Sequence, residues 1–106
     1  MAAERLIFGL AERHYAEFAR VFARYPAIEQ VLIFGSRAKG TARDGSDFDL
    51  AVVAPSMTDR DFTSLWNEID DLPLVFKVDL LHWDRLEHER LKAKIIAEGR
   101  RFWPAG

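Results

Sequence analysis

A chain of 106 residues is about one domain, too short to carry a catalytic module beside a separate substrate module. With 15 basic against 17 acidic side chains and a net charge of -2, it has no general field to hold a polyanion, which disfavours general nucleic-acid binding. The lack of cysteine removes disulfide scaffolds and thiolate metal sites, and three scattered histidines do not make a zinc centre.

In chain order, the large apolar residues between Glu4 and Tyr25 fall at Leu6, Ile7, Leu10, Tyr15, Phe18, Val21, Phe22 and Tyr25. That three-and-four spacing predicts one amphipathic helix ended by Pro26. Residues 28–34 are a β-branched and aromatic run between Pro26 and Gly35 and predict a first strand. Residues 35–46 contain three glycines with Ser, Thr and Asp, so they predict a loop with one helical turn around Arg37 to Lys39. Residues 47–54 predict a second strand closed by Pro55, with carboxylates only at its leading end.

Thr58 and Asp61 open a second helix whose stripe is Phe62, Leu65, Trp66 and Ile69. Residues 74–81 predict a third strand with a lone acid, Asp79, in otherwise apolar company. Asp84 with Glu87 predicts the cap of a last helix carrying Leu86, Leu91, Ile95 and Ile96, with Gly99 just past its end. The aromatics of residues 100–103 are expected to fold back on the body. The class is α/β (α+β): one domain, residues 1–106, with a small sheet covered by helices. The first residues lack the apolar stretch of a secretory leader, and no apolar run nears the roughly 18 residues of a membrane span; a cytoplasmic protein is expected.

Asp47 and Asp49 are two residues apart in a strand, so they share a face at about 6.5–7 Å. Such a pair repels itself, and a divalent cation such as Mg²⁺ neutralises paired hard oxygens. Asp79 is the obvious third carboxylate, with which two ions could be bridged. Taken alone, an Asp-x-Asp is more often a solvated loop-to-strand junction, and Asp79 more often an acid balanced by Lys77. The conjunction with Gly35-Ser36 changes the balance, because a small-residue bend directly after a strand can cradle a phosphate. The spacing does not fit a P-loop, since Gly40 is followed by Thr41 with Lys39 ahead of it, nor an EF-hand, since Asp49 runs into Leu50, Ala51 and Val52.

Gly35-Ser36, ten residues, Asp47-x-Asp49 and a later strand aspartate together resemble the signature of DNA-polymerase-β-like nucleotidyltransferases. More narrowly, residues 31–102 resemble the minimal nucleotidyltransferases (MNT), the antitoxin half of HEPN/MNT toxin–antitoxin pairs. The resemblance implies a small mixed sheet flanked by helices. It implies that Asp47 and Asp49 hold two Mg²⁺ ions, with Asp79 on the nucleophile side and able to help remove a proton. It implies that Gly35 and Ser36 bind the β- and γ-phosphates of ATP, so that a hydroxyl attacks the α-phosphorus and pyrophosphate leaves. Arg37, Lys39 and Arg43 are candidate triphosphate contacts, Arg37 and Lys39 the better ones.

A chain this small has no second wall for a substrate cleft, so the acceptor must bring its own surface. By the resemblance, it would be a tyrosine hydroxyl of a HEPN-type helical toxin that the protein silences. The alternatives are a binding antitoxin that neutralises its partner by occlusion without turnover and, more distantly, modification of a small hydroxylated molecule. Exposed helix faces could serve that partner or a homo-oligomer.

Overall fold

The computed structural model describes residues 6–41, 47–74 and 76–104. It opens with a two-stranded hairpin, β1 (Leu6–Ile7) and β2 (Leu10–Ala11), paired antiparallel. The predicted first helix begins only after it, as α1 (Glu12–Phe22). Phe8 and Gly9 both have positive φ, 54° and 79°, the pairing that a tight two-residue hairpin turn demands. The apolar spacing of residues 6, 7 and 10 fits a helix equally well, so here turn chemistry overrides periodicity. In α1, Phe18, Val21 and Phe22 form the buried stripe.

After α1 come β3 (Gln30–Phe34), a single helical turn α2 (Ser36–Lys39), β4 (Phe48–Val53), α3 (Asp59–Asp70), β5 (Val78–His82), a 3-10 turn (Trp83–Arg85), α4 (Glu89–Glu98) and β6 (Arg100–Trp103). The main sheet is mixed, in the order β5-β4-β3-β6: β3 runs antiparallel to β4 and to β6, and β4 runs parallel to β5. The parallel pair requires a long crossover, which α3 supplies. Thr58 caps α3 as expected, its Oγ1 accepting from the Asp61 N–H at 3.1 Å.

Further expectations change. The tail does more than pack aromatics: it is a sheet strand, hydrogen-bonded to β3, with Phe102 buried against Phe18, Tyr15 and Phe48. The last helix starts later and is capped by His88, whose Nδ1 accepts from the Leu91 N–H at 3.1 Å. Asp84, expected as that cap, instead accepts from the buried Ala54 N–H at 2.7 Å, beside His82, whose Nε2 lies 2.9 Å from the Ala54 carbonyl. The third strand is shorter at its start than residues 74–81, and residue 75 lies outside the described residues. Trp66 and Ile96, assigned to buried stripes by spacing, are 42% and 72% exposed.

Strand side chains alternate between two faces. Val31, Ile33, Phe48, Leu50, Val52 and Leu80 meet α1 and α3 in the main core. The intervening residues Leu32, Phe34, Ala51 and Leu81 meet α4, through Ile95 and Leu91, in a smaller core on the other face. The two cores give three layers and decide where Asp49 and Asp79 can point.

Candidate active site

The C-terminal end of β3 and the N-terminal ends of β4 and β5 fall together at one edge of the sheet, because β3 and β4 are antiparallel while β4 and β5 are parallel. Register makes this specific: Phe34 is opposite Asp49, and Asp49 is opposite Asp79. By alternation, both acids project on the α4 face, in line with Ala51 and Leu81. Asp47 sits just ahead of β4, exposed to solvent. The backbone thus brings Gly35, Asp49 and Asp79 onto three adjacent segments.

Gly35 makes the tightest of these approaches. Its φ of 76° and ψ of -156° belong to a region that only glycine occupies readily. A Cβ there would stand 2.5 Å from the Asp49 Oδ2, so the missing side chain is what lets the carboxylate lie against the bend. Directly after it, Ser36 begins α2, whose Ala38 and Lys39 N–H groups both donate to the Gly35 carbonyl at 3.1 and 3.2 Å. Gly40 closes the turn in the left-handed conformation.

The carboxyl of Asp49 is held above its ordinary range. Partial burial is the main cause; the negative charges of Asp79 and Asp47 add to it, and so does a hydrogen bond with Asp79, while Lys94 of α4 pulls the other way. Two carboxyls sharing a hydrogen bond need a proton or a cation between them. At neutral pH a hard divalent cation is the natural substitute, and the donor set of Asp49 and Asp79 fits one. Among the described residues, no three acidic or histidine side chains converge tightly enough to enclose an ion as they stand. What is ready-made is a pair, with Asp47 in electrostatic range.

The basic residues of α2 meet different partners. Arg37 lies over the Phe48 ring at 4.4 Å and within 5.8 Å of Phe76, and Phe48 belongs to the main core, so the guanidinium sits toward the face opposite the acids. It also lines a cavity of about 430 Å³ with Phe8, Gly9, Lys39 and Arg100. Lys39 reaches toward α4, its Nζ 2.8 Å from the Glu98 Oε1. Lys77 stands 3.5 Å from the Asp79 Oδ1, the pairing the sequence suggested. Arg43 lies outside the described residues.

Lys94 and Glu98 had no place in the sequence motif. They lie four residues apart on one stripe of α4, and only the packing of α4 onto this face of the sheet brings them to the site.

Residues 17–104 match a protein family described as polymerase beta, nucleotidyltransferase. No curated protein matches the sequence. A toxin–antitoxin crystal structure with AMP-PNP contains a chain that superposes with a TM-score of 0.68 at 22% identity, over 86% of this chain and 73% of that one. The toxin–antitoxin MntA–HepT superposes at 0.57 with 18% identity, over 89% and 73%. The tri-AMPylated Shewanella oneidensis HEPN toxin in complex with MNT antitoxin gives 0.57 and 18%, over 89% and 72%. At these identities the likeness is one of fold. Among the described residues, no helix is long and apolar enough to cross a membrane.

Proposed function

The chain belongs to the polymerase beta nucleotidyltransferase family, and on that premise we propose that it is a Mg²⁺-dependent nucleotidyltransferase that moves AMP from ATP to a hydroxyl of a partner protein. The observation that carries the proposal is the register of Asp49 against Asp79 with Gly35 folded over the Asp49 carboxylate. Asp49 and Asp79, with Asp47, are the residues that would hold Mg²⁺. The ion would supply charge neutralisation for the acids and for the oxygens of the triphosphate.

The residues then divide the work. Gly35 and Ser36 form the bend beside the acids, where they would contact the β- and γ-phosphates, and the missing Cβ at Gly35 leaves room for the Asp49 carboxylate next to them. Lys39 adds a compact positive charge one turn further on. An acceptor hydroxyl attacks the α-phosphorus, the bond from that phosphorus to the α,β-bridging oxygen breaks, and pyrophosphate departs with the electron pair. The hydroxyl proton passes to a carboxylate, for which Asp79, at the open edge, is the best placed. Catalysis of this kind rests on position and electrostatics more than on a strong base.

The acceptor is a tyrosine of a helical HEPN-type toxin, and the protein is its antitoxin. Support comes from the fold likeness to toxin–antitoxin chains, one complex holding AMP-PNP and another an AMPylated toxin. It comes as well from an acid pair that lies at an open sheet edge, where a partner must supply the second wall.

The test is to co-express the chain with the toxin of its own genome, purify both, and add α-labelled ATP with Mg²⁺. Label should appear on the toxin with the wild-type chain and vanish with Asp47→Asn/Asp49→Asn. Equal neutralisation by both chains, without label, would replace catalysis by occlusion.

A further inference from the structure

Glu98 is the last residue of α4, and its carboxylate spans the gap to α2 to meet Lys39 at 2.8 Å. Its second oxygen, Oε2, is buried and accepts no hydrogen bond from the described residues. The backbone beneath is fixed: Ile95 is buried against Phe34 and Ala51, and Gly99 packs so closely on the Ile95 carbonyl that a Cβ would overlap it. Lys39 itself is about half exposed. One turn earlier on the same stripe, Lys94 bears on Asp49. In the free protein, therefore, α4 offers a positive charge to Asp49 and a negative charge to Lys39 of α2.

We propose that Glu98 is a displaceable counter-charge for Lys39: it holds the ammonium while the site is empty of nucleotide, yields it to the β,γ-phosphates, and reclaims it as pyrophosphate leaves. This rests on the reading of Lys39 as a polyphosphate contact. An ammonium is a point charge with three donors and can pass from one anion to another without reorganising its stem. A half-exposed ion pair alters an equilibrium by only about 1.5- to 5-fold, weak enough for a polyphosphate to displace. The same weak competition, acting on the product, shortens the stay of pyrophosphate, so Glu98 is a positioning residue for the reaction and touches no reacting atom.

The experiment is calorimetric titration of the full chain with inorganic tripolyphosphate and with pyrophosphate, both in Mg²⁺. Wild type is compared with Glu98→Gln, Lys39→Met and the double variant. Glu98→Gln should tighten both ligands about two- to fivefold, Lys39→Met should weaken both, and Glu98→Gln should add nothing in the Lys39→Met background. Glu98→Ala should share the sign of Glu98→Gln, which separates the charge effect from an altered fold. Binding without any gain in Glu98→Gln, or an equal gain when Lys39 is absent, overturns the counter-charge while leaving the nucleotide site standing. No binding of either polyphosphate to any variant overturns the reading of the site, and the inference with it.

Discussion

Replacing Gly35 by alanine probes the contact on which the site is built. At φ 76° and ψ -156° a Cβ residue is strained by about 1–3 kcal/mol. The new methyl would also stand 2.5 Å from the Asp49 Oδ2, so the carboxylate must leave its rotamer, at a further cost of about 0.5–1.5 kcal/mol. Together these come to roughly 2–4 kcal/mol, which for a domain near 100 residues lowers the melting temperature by at least about 8 °C. Gly40→Ala is the control: its φ of 76° and ψ of 14° are left-handed too, but none of the described residues lies within 4 Å of an added Cβ, so only backbone strain of about 1–2 kcal/mol applies. Thermal unfolding by circular dichroism should therefore rank wild type above Gly40→Ala above Gly35→Ala. In an Asp49→Ala background the Gly35→Ala penalty should shrink, because the clash has no carboxylate to meet. A Gly35→Ala protein that melts with or above Gly40→Ala, or a penalty unchanged without the Asp49 side chain, would refute the argument.

Three other outcomes follow from the same geometry. Because the Asp49 carboxyl is held above its ordinary value of 3.8, the folded chain binds more protons than the unfolded one between that value and the raised one. Stability therefore falls as pH rises through that window, and the deficit persists at neutral pH. Asp49→Asn should then raise the melting temperature at pH 7, with the gain fading toward pH 3; melting curves across pH check it. Mg²⁺ with a non-hydrolysable ATP analogue should raise the melting temperature of the wild type with the logarithm of ligand concentration above Kd, and a chelator should reverse the shift. Asp84→Ala should cost about 1–3 kcal/mol, because it strands the buried Ala54 N–H. Asp84→Asn, which keeps an acceptor, should cost less, and urea denaturation measures both.

The parts of the fold legible from sequence are those with one dominant signal. The largely apolar runs at residues 28–34 and 47–54, closed by Gly35 and Pro55, read as strands, and strands stand within them at Gln30–Phe34 and Phe48–Val53. Thr58 and Asp61 announce α3, and the cap is there. Where two signals compete, the reading slips: residues 6, 7 and 10 carry helical spacing, but Phe8-Gly9 turns the chain into a hairpin. Asp84 looks like a cap until its carboxylate is drawn off by the Ala54 N–H just past the end of β4, a contact 30 residues away that no local pattern encodes.

The candidate site divides in the same way. Spacing puts Gly35, Asp47 and Asp49 in one neighbourhood, and strand context adds Asp79, which β4–β5 register sets beside Asp49. Spacing does not show that Arg37 turns onto Phe48, away from the acids, or that Lys39 is met by Glu98. Both depend on which layer covers which face of the sheet, and that is a tertiary fact.

The proposal that Asp49 and Asp79 act on one ion is tested most directly by titrating Mn²⁺ into the chain with a non-hydrolysable ATP analogue and counting free ion by electron paramagnetic resonance. Saturable binding should be lost in Asp49→Asn and equally in Asp79→Asn, and kept in Asp84→Asn. Wild-type affinity in Asp79→Asn would show that the two carboxylates do not act on one ion, and the nucleotidyl-transfer account would lose its foundation.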